Sequence, residues 1–249
     1  MASSSSRTCT DVFFDFGGTL FSYSCLSGSR FDMIERAAER LGVEGVDPAR
    51  MGPAFQKASR AAHADFLGRP YYRHRELFQS SFRRWAEWLD RPASQDFLDW
   101  LYQEQLRQLL VNFSLREDCL ETLDALRGLG LRLSIVSNID DDYMYPMVER
   151  AGFGELMHSL VSSEAARSCK PDLGIFRYAC DKAGCTPEQV LFVGDSLLHD
   201  VAGARQLGMT TALIPDVGTP GPGPEAAGDA AIEPHYTIER LGEVVDIVG

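Results

Sequence analysis

The polar residues of this chain that could take part in chemistry fall in four short stretches. Asp15 follows the apolar run Val12-Phe13-Phe14 and is followed closely by Gly17 and Gly18. The other three stretches are Ser137-Asn138, Lys170-Pro171 and Gly194-Asp195-Ser196-Leu197-Leu198-His199-Asp200. If these stretches meet in space, they form an anion site beside a group of carboxylates.

Asp15, Asp195 and Asp200 would repel one another at one place unless they shared a cation. Hard oxygen ligands of this kind suit Mg²⁺, which also accepts phosphate oxygens from a substrate. A lysine (Lys170), a hydroxyl (Ser137) and backbone N–H groups would complete the anion site. A carboxylate so placed can attack phosphorus and form an aspartyl-phosphate.

The elements that would position these residues alternate between helix and strand after residue 113. Apolar runs predict strands at 131–137, 158–162, 190–193 and 210–214, with an earlier strand before Asp15. Helical periodicity predicts helices at 116–129, 140–151, 172–183, 197–207 and 237–248, and residues 216–230 are expected to form a loop. This alternation predicts an α/β fold with a doubly wound, Rossmann-like parallel sheet. In such a sheet the carboxyl ends of the strands share the ligand edge, so the four stretches converge there.

Residues 22–112 show helical periodicity without a strand pattern. After a polar, flexible piece at 22–29, four helices are expected, which together predict a helical-bundle cap inserted into the sheet domain. We therefore expect a disordered tail at 1–10, a catalytic core formed by 11–21 and 113–249, and a cap at 22–112.

Composition narrows the partners. The net charge of −12 argues against nucleic acid, and no apolar run has the length of a membrane span. The start of the chain lacks a secretion signal, and the six cysteines show no C-x-x-C spacing, so we expect reduced thiols in a cytoplasmic protein. The expected partner is a phosphorylated or otherwise anionic small molecule.

The four stretches, in this order and spacing, resemble the motifs of the haloacid dehalogenase-like (HAD) superfamily of hydrolases. The first motif is Asp15-Phe16-Gly17-Gly18-Thr19, and the other three are the stretches given above. The helical insert after the first motif resembles the α-helical cap that occurs at that point. The resemblance covers roughly residues 11–248.

The resemblance implies a role for each matching residue. Asp15 would be the nucleophile and a Mg²⁺ ligand, with further metal ligands from the Gly17 carbonyl, Asp195 and Asp200. Ser137 and Lys170 would be catalytic residues that bind the phosphoryl group, with Asn138 helping through its backbone. Gly18 and Thr19 would also bind the substrate. Lys170 would also neutralise Asp15 and the developing charge.

Gly17 departs from the pattern of the family's phosphatases, which carry a second aspartate at this position to protonate the leaving group. General acid–base help is typically worth about 10²–10⁴-fold, so we expect ordinary phosphate monoesters to be turned over poorly. His199 or a cap residue could substitute, or the substrate could assist the proton transfer. Substrates with good leaving groups, such as acyl phosphates, are the alternative.

Three other activities stay open at this point. Phosphonatase-type relatives also lack the second aspartate and use a cap lysine, and Lys57 is the only lysine of this cap. Dehalogenase relatives also lack the second aspartate, but they need no metal. The retained Asp195 and Asp200 therefore argue against dehalogenation. The last alternative is a non-catalytic binding or regulatory protein. An arginine cluster in the cap could recognise an anionic tail of the substrate, or could form a basic helix face that pairs with the acidic body of the chain; it comprises Arg69, Arg73, Arg75, Arg83 and Arg84.

Overall fold

The structure, a computed structural model, describes residues 9–44, 47–216 and 232–249. Its contacts divide the chain into two compact units, one formed by Met1–Ser24 with Ser114–Gly249 and the other by Cys25–Phe113. We call them the core unit and the helical unit.

The core unit is built on six parallel strands. They are β1 (Asp11–Phe14), β2 (Arg132–Ser137), β3 (Ser159–Ser162), β4 (Val190–Gly194), β5 (Thr210–Leu213) and β6 (Tyr236–Thr237). Their order is β3-β2-β1-β4-β5-β6, so β1 lies between β2 and β4. The chain winds outward from β1 in both directions, which confirms the predicted doubly wound α/β fold.

The helices that flank this sheet follow the predicted alternation. They are α5 (Cys119–Gly128), α6 (Asp141–Ala151), α7 (Ser163–Ala166), α8 (Leu173–Ala183), α9 (Gly203–Gln206) and α10 (Glu243–Val248). Because helices cover both faces of the sheet, its strands are rich in apolar residues. Phe13, Phe176 and Phe192 are almost fully buried in one cluster, and the ring centroids of Phe176 and Phe192 lie 5.2 Å apart.

The structure corrects two predicted elements and leaves a third outside the described residues. Thr237 does not begin a helix, because Tyr236 and Thr237 pair with β5 as the sixth strand, and α10 begins only at Glu243. The helix predicted at 197–207 is instead a π-helical turn, Leu197–Ala202, followed by α9. The predicted loop at 216–230 lies outside the described residues apart from Asp216.

Parts of the tail expected at 1–10 and of the flexible piece expected at 22–29 have defined structure. Residues 1–8 lie outside the described part of the chain, but the backbone of Thr10 pairs with Gln189 and Arg132 beside the sheet. In the piece expected to be flexible at 22–29, a 3₁₀ turn covers Tyr23–Leu26 and α1 begins at Ser27.

The helical unit contains four helices: α1 (Ser27–Arg40), α2 (Pro48–Phe66), α3 (His74–Trp88) and α4 (Gln95–Asn112). Asp47 and Ser94 cap α2 and α4 by accepting hydrogen bonds from backbone N–H groups of the first turn. Phe82, Trp85 and Leu101 are fully buried in the apolar centre of this unit. No helix in the described ranges is both long and apolar enough to cross a membrane.

Candidate functional site

The carboxyl ends of β1, β2 and β4 bring the predicted polar residues to one edge of the sheet. Asp15 directly follows β1, and its backbone N–H donates to the carbonyl of Val193 at 2.9 Å. Ser137 is the last residue of β2, and Asp195 directly follows β4. Three strands that are hydrogen-bonded neighbours therefore deliver an aspartate, a serine and a second aspartate to the same edge.

Lys170 connects two of the carboxylates. Its Nζ lies 2.7 Å from Asp15 Oδ1 and 2.6 Å from Asp200 Oδ1, and the lysine is almost completely buried. Burial alone would lower the pKa of Lys170, but the attraction of Asp15 and Asp200 outweighs it and raises the pKa above its ordinary value. The ammonium group therefore remains charged at neutral pH.

Asp15, Asp195 and Asp200 offer carboxylate oxygens that all lie within 4.8 Å of one another. Burial, followed by repulsion from the neighbouring carboxylates, raises the pKa of Asp195. Burial also raises the pKa of Asp200, although Lys170 opposes the shift. Three carboxylates against one ammonium group leave two negative charges when all are ionised, and a divalent cation would balance this charge.

Two glycines allow this crowding. Gly18 has a φ of +80°, and a Cβ placed there would lie 2.2 Å from Asp195 Oδ2. At Gly194, a Cβ would lie 2.3 Å from the Cγ of Asp200. Since any larger residue would displace a carboxylate, the glycines of the first and fourth motifs are needed for the packing of the site.

Asn138 holds the lysine segment through its side chain. Its Nδ2 donates to the carbonyl of Lys170 at 2.9 Å, and its Oδ1 accepts from the N–H of Lys170 at 2.7 Å. This amide pairing fixes the backbone from which the lysine side chain reaches the carboxylates. Ser137 beside it is buried, with 6% of its surface exposed.

His199 is engaged within its own helical turn. Its Nδ1 lies 3.2 Å from Ser196 Oγ, and its backbone N–H donates to the same oxygen at 3.1 Å. Ser196 also donates its backbone N–H to Asp200 Oδ2 at 2.9 Å. These two contacts of His199 lie in the turn that orients Asp200.

Arg116 fastens the loop that follows Asp15. Its guanidinium group donates to the carbonyls of Gly18, at 2.6 Å, and Thr19, at 2.9 Å. It also lies 3.4 Å from Asp216 Oδ1. Asp216 in turn accepts a hydrogen bond from the backbone N–H of Tyr23 at 3.0 Å. One arginine and one buried carboxylate therefore connect the first motif to Tyr23.

Tyr23 occupies the space beside Gly17. A Cβ built on Gly17 would lie 2.1 Å from the Tyr23 hydroxyl oxygen and 2.7 Å from its Cζ. Burial, and then the charges of Asp15, Asp195 and the other nearby carboxylates, raise the pKa of Tyr23 above its ordinary value. The phenol is therefore neutral at physiological pH and retains its O–H donor.

The residues singled out in the cap have contacts inside the helical unit. Lys57 is exposed on α2. Arg75 pairs with Asp99 at 2.8 Å, and Arg84 pairs with Asp65. Both aspartates belong to the helical unit, so Arg75 and Arg84 pair within that unit, and these two pairs bear out neither interpretation of the cluster.

Sequence reasoning missed Arg116 and Asp216 as parts of the site; it placed Tyr23 beside the active site, as part of a flap or hinge, but gave its hydroxyl no role. Asp216 could have been found, because it follows β5 and so obeys the same rule that identified Asp195. Tyr23 and Arg116 carry no comparable signal, since their contacts depend on the course of irregular segments.

Comparison with known proteins gives matches over most of the chain. Residues 12–208 match the family described as haloacid dehalogenase-like hydrolase. The chain is 29% identical over 243 residues to a ribulose-1,5-bisphosphate 5-phosphatase of Halopiger xanaduensis, which covers 96% of this chain and 99% of that protein. It is 30% identical over 131 residues to (S)-2-haloacid dehalogenase 4A of Burkholderia cepacia, or 53% of each protein. Among solved structures, the HAD-hydrolase YfnB of Bacillus subtilis, bound to magnesium, has a TM-score of 0.74 at 20% identity and covers 97% of this chain and 99% of that one.

Proposed function

We propose, since the chain belongs to the haloacid dehalogenase-like hydrolases, that this hydrolase is a Mg²⁺-dependent phosphatase of phosphorylated small molecules. The observation that carries the proposal is the bridging of Asp15 and Asp200 by the Lys170 ammonium group, with Asp195 within 4.8 Å. A metal-independent dehalogenase would have no evident use for this surplus of negative charge. The long match to a sugar-bisphosphate phosphatase supports the same activity.

Asp15, Asp195 and Asp200 would hold the metal ion, together with the carbonyl of Gly17. The fit rests on the chemistry of the donors, since three carboxylates with oxygens within 4.8 Å of one another share one ammonium group. When bound, Mg²⁺ would supply that charge and attract a phosphoryl oxygen of the substrate.

The chemical step is carried by Asp15. A carboxylate oxygen of Asp15 forms a bond to phosphorus while the bond from phosphorus to the leaving oxygen breaks, and that oxygen keeps the electron pair and takes a proton from water. A second water then attacks phosphorus, breaks its bond to Asp15 and yields inorganic phosphate with the carboxylate restored. Lys170 neutralises charge on Asp15 throughout and, with Ser137 and the loop amides of Gly18 and Thr19, stabilises the phosphoryl oxygens.

Asn138 contributes indirectly to this site. Because both polar atoms of its side chain are paired with the backbone of Lys170, we assign it to positioning the lysine, and any contact with the phosphoryl group would come from its own backbone. We also propose a cytoplasmic location, because the six cysteines show no C-x-x-C spacing and are expected to be reduced thiols.

The test is a panel of phosphorylated sugars and acyl phosphates, assayed for phosphate release with Mg²⁺ and with a chelator. We expect release with Mg²⁺ and loss of turnover in the chelator and in Asp15→Asn. Asp181→Asn, which changes an exposed carboxylate on α8, is the matched control and should retain activity. Activity that persists in the chelator would overturn the metal-dependent proposal.

Dehalogenation is the second candidate, because the match to a haloacid dehalogenase coincides with the loss of the second aspartate at Gly17. It is assayed as halide release from 2-haloacids in the presence of the chelator. Halide release without phosphate release would replace the phosphatase proposal with this one.

A further inference from the structure

The space beside Gly17 is filled by a side chain from a different part of the chain. The hydroxyl oxygen of Tyr23 lies 2.1 Å from the point where a Cβ of residue 17 would stand. A residue-17 side chain and the phenol of Tyr23 therefore exclude each other. In this chain the phenol of Tyr23, six residues after Gly17, occupies the space that a side chain at residue 17 would take.

Tyr23 is held both at its ring and at its backbone. The ring of Phe21 meets it edge-on at a centroid distance of 5.4 Å. The backbone N–H of Tyr23 is bound by Asp216, whose other oxygen faces Arg116. Since Arg116 also binds the carbonyls of Gly18 and Thr19, the same group fixes the first motif and the tyrosine. The hydroxyl is thus positioned before any substrate arrives, which is the condition for an effective hydrogen bond in a transition state.

The protonation state and the position of the hydroxyl decide what it can do. A phenol has an ordinary pKa of about 10, so it is neutral at physiological pH. A neutral phenol can donate one hydrogen bond, and the position beside residue 17 is two residues from the nucleophile. In family phosphatases that position serves the leaving group.

We propose that the Tyr23 hydroxyl is a catalytic group that donates a hydrogen bond to the leaving oxygen of the substrate, in place of the missing side chain at Gly17. The hydrogen bond stabilises negative charge on that oxygen as its bond to phosphorus breaks, while the proton finally taken up comes from water. This proposal rests on the proposed phosphatase function. It also predicts a substrate class: compounds whose leaving oxygen needs stabilisation but not full protonation, such as acyl and aryl phosphates.

The test compares wild-type protein with Tyr23→Phe, which keeps the ring and removes the hydroxyl. Initial rates with Mg²⁺ are measured on aryl phosphates of graded leaving-group acidity, from p-nitrophenyl to phenyl phosphate, and on an alkyl phosphate. Tyr178→Phe is the matched control, because it removes a phenolic hydroxyl from an exposed position on α8 of the same unit. Melting temperatures of the three proteins report whether the substitution affects folding.

We expect Tyr23→Phe to lose roughly 10²-fold in kcat/KM on the poorest leaving groups and much less on p-nitrophenyl phosphate, so that the rate depends more steeply on leaving-group acidity. An equal loss on all substrates would reveal a structural role and overturn the proposal, as would no loss at all. If wild-type protein releases phosphate from none of these compounds or the acyl phosphates, the phosphatase function itself fails and this proposal with it. If Tyr23→Phe is active and its rate depends on leaving-group acidity as that of the wild type does, the role of Tyr23 is refuted while the phosphatase function stands.

Discussion

At the scale of single residues, the site sets one buried ammonium group against three carboxylates. Lys170 bonds to Asp15 and Asp200, while Asp195 stands within ion-binding distance of both. In a buried position, removing one partner of such a group costs more than the pair contributes, because the remaining charges lose their compensation. The site is therefore sensitive to the loss of the lysine even before any substrate binds.

We predict that Lys170→Met abolishes turnover and destabilises the core unit by about 3–5 kcal/mol. Methionine fills a similar volume, so the effect isolates the charge. Calorimetric unfolding and phosphate release measure the two effects. The matched control is Lys182→Met, since Lys182 is exposed on α8 and bonds only at the surface, to the carbonyl of Leu160. Retained turnover in Lys170→Met would contradict the role assigned to the lysine.

Gly17 and Tyr23 give a second prediction, because they compete for one space. Gly17→Asp alone places its Cβ against the phenol, so the new carboxylate is forced out of position unless the tyrosine moves. Gly17→Asp combined with Tyr23→Ala removes the obstacle. We expect the double variant to exceed Tyr23→Ala by roughly 10²-fold on alkyl phosphates, and Gly17→Asp alone to show less gain. Equal behaviour of the single and double variants would show that the tyrosine does not occupy the position.

The position of the carboxylates could be predicted from sequence, but the contact between the Tyr23 hydroxyl and the space beside Gly17 could not. The rule that parallel strands deliver ligands at their carboxyl ends applies directly to Asp15 and Asp195, which follow β1 and β4. Tyr23 reaches the site through an irregular turn whose path depends on Arg116 and Asp216. Such contacts join residues that are far apart in sequence and follow no periodic pattern.

At the scale of elements, a charged cluster around one buried glutamate connects α1 to α4 in the helical unit. Glu104 on α4 accepts from Arg36 of α1 at 2.6 Å, from Arg107 at 2.7 Å and from Gln108 at 3.0 Å. Its side chain is only 7% exposed. The hydrogen bonds from Arg107, opposed by burial and assisted by Gln108, lower the pKa of Glu104 to about 2.

This shift predicts how the stability of the helical unit depends on pH. A carboxyl group whose pKa is lower in the folded state stabilises it above the ordinary pKa of 4.5, and the stabilisation is lost as pH falls toward about 2. We expect Glu104→Gln to cost about 1–3 kcal/mol at neutral pH, with the difference from wild type shrinking between pH 5 and pH 2.

Tryptophan fluorescence is the suitable probe for this experiment. All three tryptophans of the chain, Trp85, Trp88 and Trp100, lie in the helical unit, so their signal reports that unit selectively. Glu76→Gln, an exposed glutamate in the first turn of α3, serves as control. A difference between wild type and Glu104→Gln that stays constant from pH 7 to pH 2 would contradict the assigned ionisation.

Most elements could be predicted because their periodicity is long enough to recognise. The helical unit has the four expected helices, β1 lies directly before Asp15 as expected, and strands β2 to β5 lie within a few residues of the predicted ranges. β6 was missed because two residues, Tyr236 and Thr237, carry no alternation. The π-helical turn after β4 was predicted as an α-helix because its apolar spacing is nearly helical.

At the scale of the whole molecule, the core unit contains an uncompensated negative charge that a bound cation would remove. A ligand that binds only the folded protein stabilises it by about 2.7 kcal/mol at a concentration of 100 times its dissociation constant. We therefore predict that Mg²⁺ raises the melting temperature of the core unit, as measured by calorimetry, since the tryptophans do not report this unit.

Asp195→Asn should abolish most of this stabilisation, because it removes one of the three carboxylates. Asp181→Asn, with its exposed carboxylate, should respond to Mg²⁺ as the wild type does. An equal Mg²⁺ response in all three proteins would place the cation elsewhere and contradict the assignment of the ligands.

The most direct test of the account is to trap the covalent intermediate. The protein is mixed with acetyl phosphate and Mg²⁺, quenched in acid, and the peptide that contains Asp15 is analysed by mass spectrometry. We predict a mass increase of one phosphoryl group on Asp15, absent when a chelator replaces Mg²⁺ and absent from Asp15→Asn. Phosphate release by wild-type protein without any phosphorylated Asp15, under conditions that preserve an acyl phosphate, would contradict the central claim.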